Sequence, residues 1–179
     1  MQSKAATVDE YLSSLPADRR EVLVAVRKLF KTNLDRKYAE GMSYGMIGWS
    51  VPHTVFPAGY HCNPAQPLPF AGLASQKGHM SLYLFGLYCD QVDGKPGPLL
   101  GWFEDAWKKS GKKLDDLALE VLAQLLQRMP CDEFVALYER SLGAARPAKK
   151  AAAPKTVQKK AATKTTAAKR APSKRKPAK

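Results

Sequence analysis

Apolar residues first recur at a regular interval at Tyr11, Leu12 and Leu15, directly after Thr7-Val8-Asp9-Glu10. That tetrad is a capping box: the Thr7 hydroxyl accepts from a first-turn amide, and Glu10 reaches back. Pro16 then ends this short helix or opens the next one at its first turn. Val22, Leu23, Val26, Leu29, Phe30 and Leu34 follow at helical spacing as one wide apolar stripe, with Arg19, Arg20, Lys28 and Lys31 outside it. Further on, Trp102, Phe103, Ala106 and Trp107 have helical spacing that Gly111 stops. Leu117, Val121, Leu122, Leu125 and Met129 line the next helix, for which Asp115 or Asp116 is the expected cap. After Pro130, the stripe of Phe134, Val135, Tyr138 and Leu142 carries a last helix to Gly143.

Between these helices the period changes. Residues 41–62 read as extended chain, with Pro52 and Pro57 setting turns. Residues 63–78, NPAQPLPFAGLASQKG, are dominated by Pro and Gly and read as a loop. Residues 79–88, HMSLYLFGLY, are the clearest strand: His79, Ser81, Tyr83 and Phe85 share one face, and Met80, Leu82 and Leu84 the other. Both faces are largely apolar, so both are expected to be at least partly covered. DGKPGP at 93–98 reads as a turn. Helices at both ends with strands between them predict an α+β fold, helices packed on a small, mainly antiparallel sheet.

Charge changes this picture at one place. The chain has 179 residues, with 29 Lys+Arg against 16 Asp+Glu. Residues 144–179 hold 13 of those bases and no acid, so residues 1–143 are neutral and the whole net charge of +13 lies in the last 36 residues. Two parts are expected: a folded domain over 1–143 and a basic tail over 144–179. The tail is almost entirely Ala, Lys, Arg, Thr and Pro, with one Val and no aromatic. It cannot bury enough apolar surface to offset its ordering entropy and is expected to be disordered.

Candidate chemistry is sparse. Phosphate-binding glycine loops, Gly-x-Ser-x-Gly, His-Glu-x-x-His and EF-hand patterns are all missing, so no catalytic residue is assigned. Cys62, Cys89 and Cys131 form no CxxC, which fits a reducing compartment better than a disulfide framework. His53, His61 and Cys62 can be imagined as a metal set. However, neighbours on a strand point to opposite faces, which separates His61 from Cys62, and no metal site is assigned. Cys89 reads as a structural thiol, while Cys131 sits at a helix start, either as a thiol the dipole favours as thiolate or as an ordinary first-turn residue. Asp9-Glu10 and Asp115-Asp116 fall where helices begin and read as capping acids. The N-terminus has no apolar signal-peptide core, and no run approaches the ~18 apolar residues of a membrane span. A cytoplasmic location is the expectation.

One stretch asks for more. GMSYGMIGW at 41–49 places three glycines beside Tyr44, Met46 and Trp49. Glycine inside a strand marks close approach of a ligand or another backbone. Read as one continuous strand, Tyr44 and Met46 share a face and Trp49 takes the other, unless a bulge shifts the register. If this strand neighbours the one at 79–88, Tyr44, Met46, His79 and Tyr83 line one concave patch. Tyr44, Met46, Trp49, His79 and Tyr83 are therefore the candidate ligand-binding residues. The competing reading is an aromatic core under helices. An acid/base role for His79 with Tyr44 or Tyr83 is the enzymatic alternative.

Four segments in order, TVDEYLSSLPADRREVLVAVRKL, MSYGMIGW, KGHMSLYLF and LQRMPCDEFVALYERSL, resemble the YdhG-like family of small intracellular domains. The resemblance runs from about Thr7 to Leu142 and is strongest at S-Y-G-M, 43–46, and K-x-H-x-S-L-Y, 77–83. It implies an α+β sandwich of helices on a sheet. One branch of the family is described as a frataxin-like iron chaperone, which makes iron the one cofactor the resemblance suggests. Frataxin-like proteins hold iron with acidic groups, whereas the first long helix here alternates acids with bases. The chain also departs from the family after Gly111. A short strand expected beyond the G-K-K-L-D stretch is missing, leaving Lys112 and Lys113 as its remnants.

The tail resembles the Ala/Lys/Pro-rich tails of linker histones and of some bacterial nucleoid proteins, with Ser173-Lys174-Arg175-Lys176 as a similar Ser/basic element. Its charge alone makes DNA or RNA the expected partner. The residues expected to meet phosphates are Lys149, Lys150, Lys155, Lys159, Lys160, Lys164, Lys169, Arg170, Lys174, Arg175, Lys176 and Lys179. Without interleaved aromatics there is no base stacking and no sequence readout. Association with the nucleoid is the corresponding expectation for location.

Overall fold

A computed structural model describes residues 3–92, 95–111 and 117–145. The chain divides at Pro147/Ala148. The features of the domain lie on the first side of that division. The tail and its twelve candidate phosphate contacts lie outside the described residues, as do Lys112, Lys113, Asp115 and Asp116.

Helix α1, Val8–Ser13, starts where the capping box places it. Thr7 Oγ1 accepts from the Glu10 amide at 3.2 Å, while Glu10 reaches one residue further back than Thr7, to the Ala6 amide at 2.8 Å. Pro16 is the N-cap of α2, Ala17–Asn33. Leu23, Val26 and Phe30 form its buried line, but Val22 is 44% exposed, so the apolar stripe is narrower than its sequence spacing predicts. Three helices close the domain: α4 over Pro98–Lys109, α5 over Leu119–Gln127 and α6 over Cys131–Ala145. Gly111, at φ +67°, follows α4 in the left-handed conformation of a helix stop. Ala118 is the N-cap of α5, and the strand noted as missing after Gly111 concerns residues 112–116, which lie outside the described residues.

The middle of the chain forms an antiparallel sheet in the order β1-β2-β3-β4. Its strands are β1 Ala39–Ser43, β2 Met46–Val51, β3 Leu68–Ser75 and β4 Met80–Leu84. A five-residue helix, α3 Phe85–Cys89, and a small hairpin of β5 Gln91–Val92 and β6 Lys95–Pro96 follow. The architecture is α+β, as the element order predicts.

Three local expectations are corrected. First, GMSYGMIGW is not one strand. It is the β1–β2 hairpin, turning at Tyr44 and Gly45, which both have positive φ, 51° and 73°. Positive φ at both central residues matches the twist of the flanking strands, a geometry usually signalled by Asn-Gly or Asp-Gly. Second, the stretch read as a loop at 63–78 contains β3, which pairs with both β2 and β4 and is buried along most of its length. Pro69 is tolerated because the β2–β3 register shifts between Trp49 and Ser50, leaving Phe70 as an extra residue on β3. Third, the strand expected at 79–88 is shorter. It starts at Met80 and gives way to α3 at Phe85.

The core lies between one sheet face and the helices. Phe30 of α2 stacks on Trp49 of β2, with ring centroids 3.9 Å apart. Phe70 of β3 meets Phe134 of α6 edge-on at 5.2 Å and Tyr38 at 4.4 Å. Arg27 holds α1, α2 and β1 together, donating to Asp9 at 2.9 Å and through two nitrogens to Glu40 at 2.7 and 2.9 Å.

Asp35 caps from a distance, accepting from the Cys131 amide at the start of α6 at 3.0 Å and from the Lys37 amide at 3.0 Å. Those two amides hold its carboxyl below the usual value of 3.8. A depressed folded pKa gives stability that is present above the unfolded value and lost as pH falls through the folded one. Asp35→Asn is therefore expected to lower stability by about 1 kcal/mol at pH 7, the scale of a lost cap. In urea unfolding the gap to wild type should shrink as pH falls below 3.8. A gap that is constant with pH would show that the carboxylate charge contributes nothing.

Candidate functional site

On the sheet face opposite Trp49, glycines stand in register. Gly41 pairs with Gly48, Gly48 with Gly72, and Gly72 with Tyr83, so one cross-strand row runs through all four strands. Gly48 and Gly72 of this row line a groove, while Gly41 lies outside it. The hairpin turn raises Tyr44 at one end, and Tyr83 and Phe85 stand at the other. The resulting groove has a volume of about 250 Å³, and Met46, Tyr60 and Pro69 also line it. Its surface is almost wholly apolar.

Close approach is real at two of these glycines. A Cβ on Gly48 would lie 2.8 Å from Ser43 Cβ, and one on Gly72 would lie 3.0 Å from Met46 Sδ. Met46 therefore lies over Gly72 as a flexible, polarisable floor. Two amides fix the rim hydroxyls. Tyr44 Oη donates to Gln66 Oε1 at 2.8 Å, and Gln76 Nε2 donates to Tyr83 Oη at 2.7 Å. Because Tyr83 accepts in that bond, its own hydroxyl hydrogen remains available to a ligand. Tyr44 is 51% exposed in a left-handed conformation unusual for an aromatic residue. Strain of this kind, about 1–3 kcal/mol, concentrates at binding sites.

Of the five candidate ligand-binding residues, the fold brings Tyr44, Met46 and Tyr83 together. Two are corrected. Trp49 is 3% exposed and packs in the core, because alternation on β2 sends it to the face opposite Met46 and Gly48. His79 lies in the β3–β4 turn with its side chain exposed and does not line the groove. Its carbonyl accepts from the Gln76 amide at 2.8 Å, and Arg19 clamps this turn through Ser75 Oγ and the carbonyls of Gln76 and Lys77. The concave patch thus exists without its histidine, and β2 and β4 are separated by β3 rather than being neighbours. Sequence reasoning missed Tyr60, Pro69, Gly72 and Phe85 as lining residues. The signal for Gly72 was another glycine in an apolar run, LPFAGLA, obscured by its prolines.

At the groove edge, Tyr60 leads into a tight turn closed by a bridge between Tyr60 and Asn63. His61 and Cys62 occupy its tip. The turn sets them side by side, His61 Nε2 lying 3.1 Å from Cys62 Sγ, so the expectation that a strand holds them apart is overturned. His53 goes elsewhere, its Nε2 lying 2.9 Å from the Pro64 carbonyl. Among the described residues no group of three or more His, Cys, Asp or Glu converges as a metal site. Cys131 is fully buried, and burial pushes its thiol up to about 11, outweighing the helix dipole. Cys89 is also buried and shifted upward by desolvation, whereas Cys62 is exposed.

Fold and site together define an α+β domain with a small apolar groove on an antiparallel sheet. The chain matches no protein-family model, no curated protein and no solved structure. Among the described residues no helix is long and apolar enough to cross a membrane.

Proposed function

We propose that this chain is a non-enzymatic binding protein, a YdhG-like domain whose groove takes a small, flat, apolar ligand and whose basic tail holds nucleic acid without sequence preference. The observation that carries the ligand reading is the Gly48–Gly72 pair walled by Tyr44, Tyr60 and Tyr83. A groove of about 250 Å³ lies just below the usual range for small-molecule pockets, about 300–1,000 Å³, and suits a ligand of one or two rings. Aromatic walls and a thioether supply contact area, and the Tyr83 hydroxyl supplies one directional bond. The family likeness of four segments is consistent with a small cytoplasmic domain. The charge of residues 144–179 supports the nucleic-acid role and a place at the nucleoid.

Indole, a flat apolar probe with one N–H, tests the groove. Protein carrying methyl-labelled methionine is titrated and the Met46 methyl resonance followed, assigned by Met46→Leu. A saturable shift is expected. Gly72→Ala should weaken it about tenfold, because the added methyl pushes Met46 into the groove. An unmoved Met46 methyl, or equal affinity in the variant, rejects the groove as the binding site.

A further inference from the structure

Cys62 does not stand alone at the tip of its turn. His61 Nε2 faces its sulfur at 3.1 Å. The other imidazole nitrogen, His61 Nδ1, lies 2.7 Å from Tyr138 Oη, and the same oxygen accepts from the His61 amide at 2.9 Å. Tyr138 is 2% exposed on α6 and edge-packed against Phe56 at 6.1 Å, so the group that orients the ring is itself fixed. A nucleophile, a base in hydrogen-bond reach and a third group holding the base form the constellation of an activated nucleophile. Here it comes from residues 77 positions apart and ends at an exposed sulfur.

We propose that Cys62 is a His61-assisted nucleophile that captures α,β-unsaturated carbonyl compounds as a thioether, one adduct per chain. His61 Nε2 takes the thiol proton as the sulfur attacks the β-carbon. The C–S bond forms, the carbon–carbon π electrons move to the enolate, and the imidazolium returns the proton to the α-carbon. Atoms and electrons balance with no leaving group and no co-reactant. During the step Nδ1–H donates to the Tyr138 oxygen, which supports the transient imidazolium.

One further observation favours a carbon electrophile over a disulfide cycle. Cys89 and Cys131 are buried, so the described residues offer Cys62 no accessible thiol partner. Tyr60 also stands beside the sulfur. Its hydrogen bond to Cys62, helped by burial, pushes the phenol up to about 12, so the hydroxyl is directed at the sulfur and steadies it at the tip of the turn. The proposal does not rest on the groove reading, although Tyr60 belongs to both sites.

The test is the second-order rate of N-ethylmaleimide addition to the full chain at neutral pH, followed by intact mass and mapped by peptide digestion. The reference is the free peptide of residues 58–66, AGYHCNPAQ, which has the same cysteine and histidine but neither the folded turn nor Tyr138. The adduct is expected on Cys62, at least about tenfold faster than in the peptide, the low end of general-base assistance. His61→Ala should bring the rate to that of the peptide, and added imidazole should restore part of it. Circular dichroism checks that the variant folds; should it not, the comparison of wild type with peptide decides. Rates equal in protein and peptide, or an adduct on Cys89 or Cys131, overturn the proposal. A folded His61→Ala protein as fast as wild type also overturns it.

Discussion

Truncation after Pro147 is expected to abolish binding of duplex DNA while leaving the folded domain unchanged. The argument needs only charge. Residues 148–179 carry twelve Lys and Arg and no acid, whereas residues 1–143 are neutral. If about six phosphates are neutralised, log K falls with log salt with a slope near −5, at roughly −0.9 per phosphate. Full-length protein should therefore lose about a thousandfold in affinity between 50 and 200 mM salt. A fluorescence-anisotropy titration of both forms at several salt concentrations, with duplexes of different sequence, reads all of this. Equal affinity across sequences is expected, because the tail has no aromatic to stack on bases. Binding by the truncated form would move the nucleic-acid surface to the domain. Failure of both forms to bind would remove the nucleic-acid role.

Trp49→Ala should be the most damaging single change in the sheet. The indole is 3% exposed and stacked on fully buried Phe30. Truncating a large buried aromatic costs about 3–5 kcal/mol, through lost transfer energy and the cavity left behind. That is a large share of the ~5–15 kcal/mol by which a domain is stable. Urea unfolding of the full chain should show the midpoint drop accordingly. In the protein that remains folded, indole should still shift the Met46 methyl with an affinity within about twofold of wild type, because Trp49 and Met46 lie on opposite sheet faces. A small stability loss with lost indole binding would mean the two faces are wrongly assigned.

Most helices were legible in the sequence because their signals are local. Thr7 and Glu10 are three residues apart, Leu23, Val26 and Phe30 lie within two turns, and Gly111 follows the helix it stops. The strands were harder. β3 was hidden because Pro69 and Gly72 are breakers wherever a strand stands by itself. In the sheet, Pro69 sits where the register shifts, and Gly72 continues a row begun by Gly41 and Gly48. The β1–β2 turn was hidden because Tyr-Gly lacks the asparagine or aspartate that usually announces positive φ.

The site divides in the same way. Tyr44, Met46 and Tyr83 were found as aromatic and soft residues near glycines, a local pattern. Trp49 joins them only if a bulge shifts the register before it, and the shift falls after it, between Trp49 and Ser50, so alternation keeps it on the other face. His79 alternates with Tyr83 in a strand that in fact begins one residue later. The pairing of His61 with Cys62 was discounted on strand geometry, and the turn closed by Tyr60 and Asn63 reversed that.

By itself the sequence determined where the charge lies, where the longer helices run and that the class is α+β. Composition and periodicity belong to the chain before it folds. The tertiary structure alone decided that Gly48 and Gly72 meet under one groove, that His79 stands outside it, and that Tyr138 holds His61 against Cys62. Those arrangements depend on strand register and on contacts between residues far apart in the chain. A one-residue shift in pairing would send each side chain to the other face, and no local pattern specifies that choice.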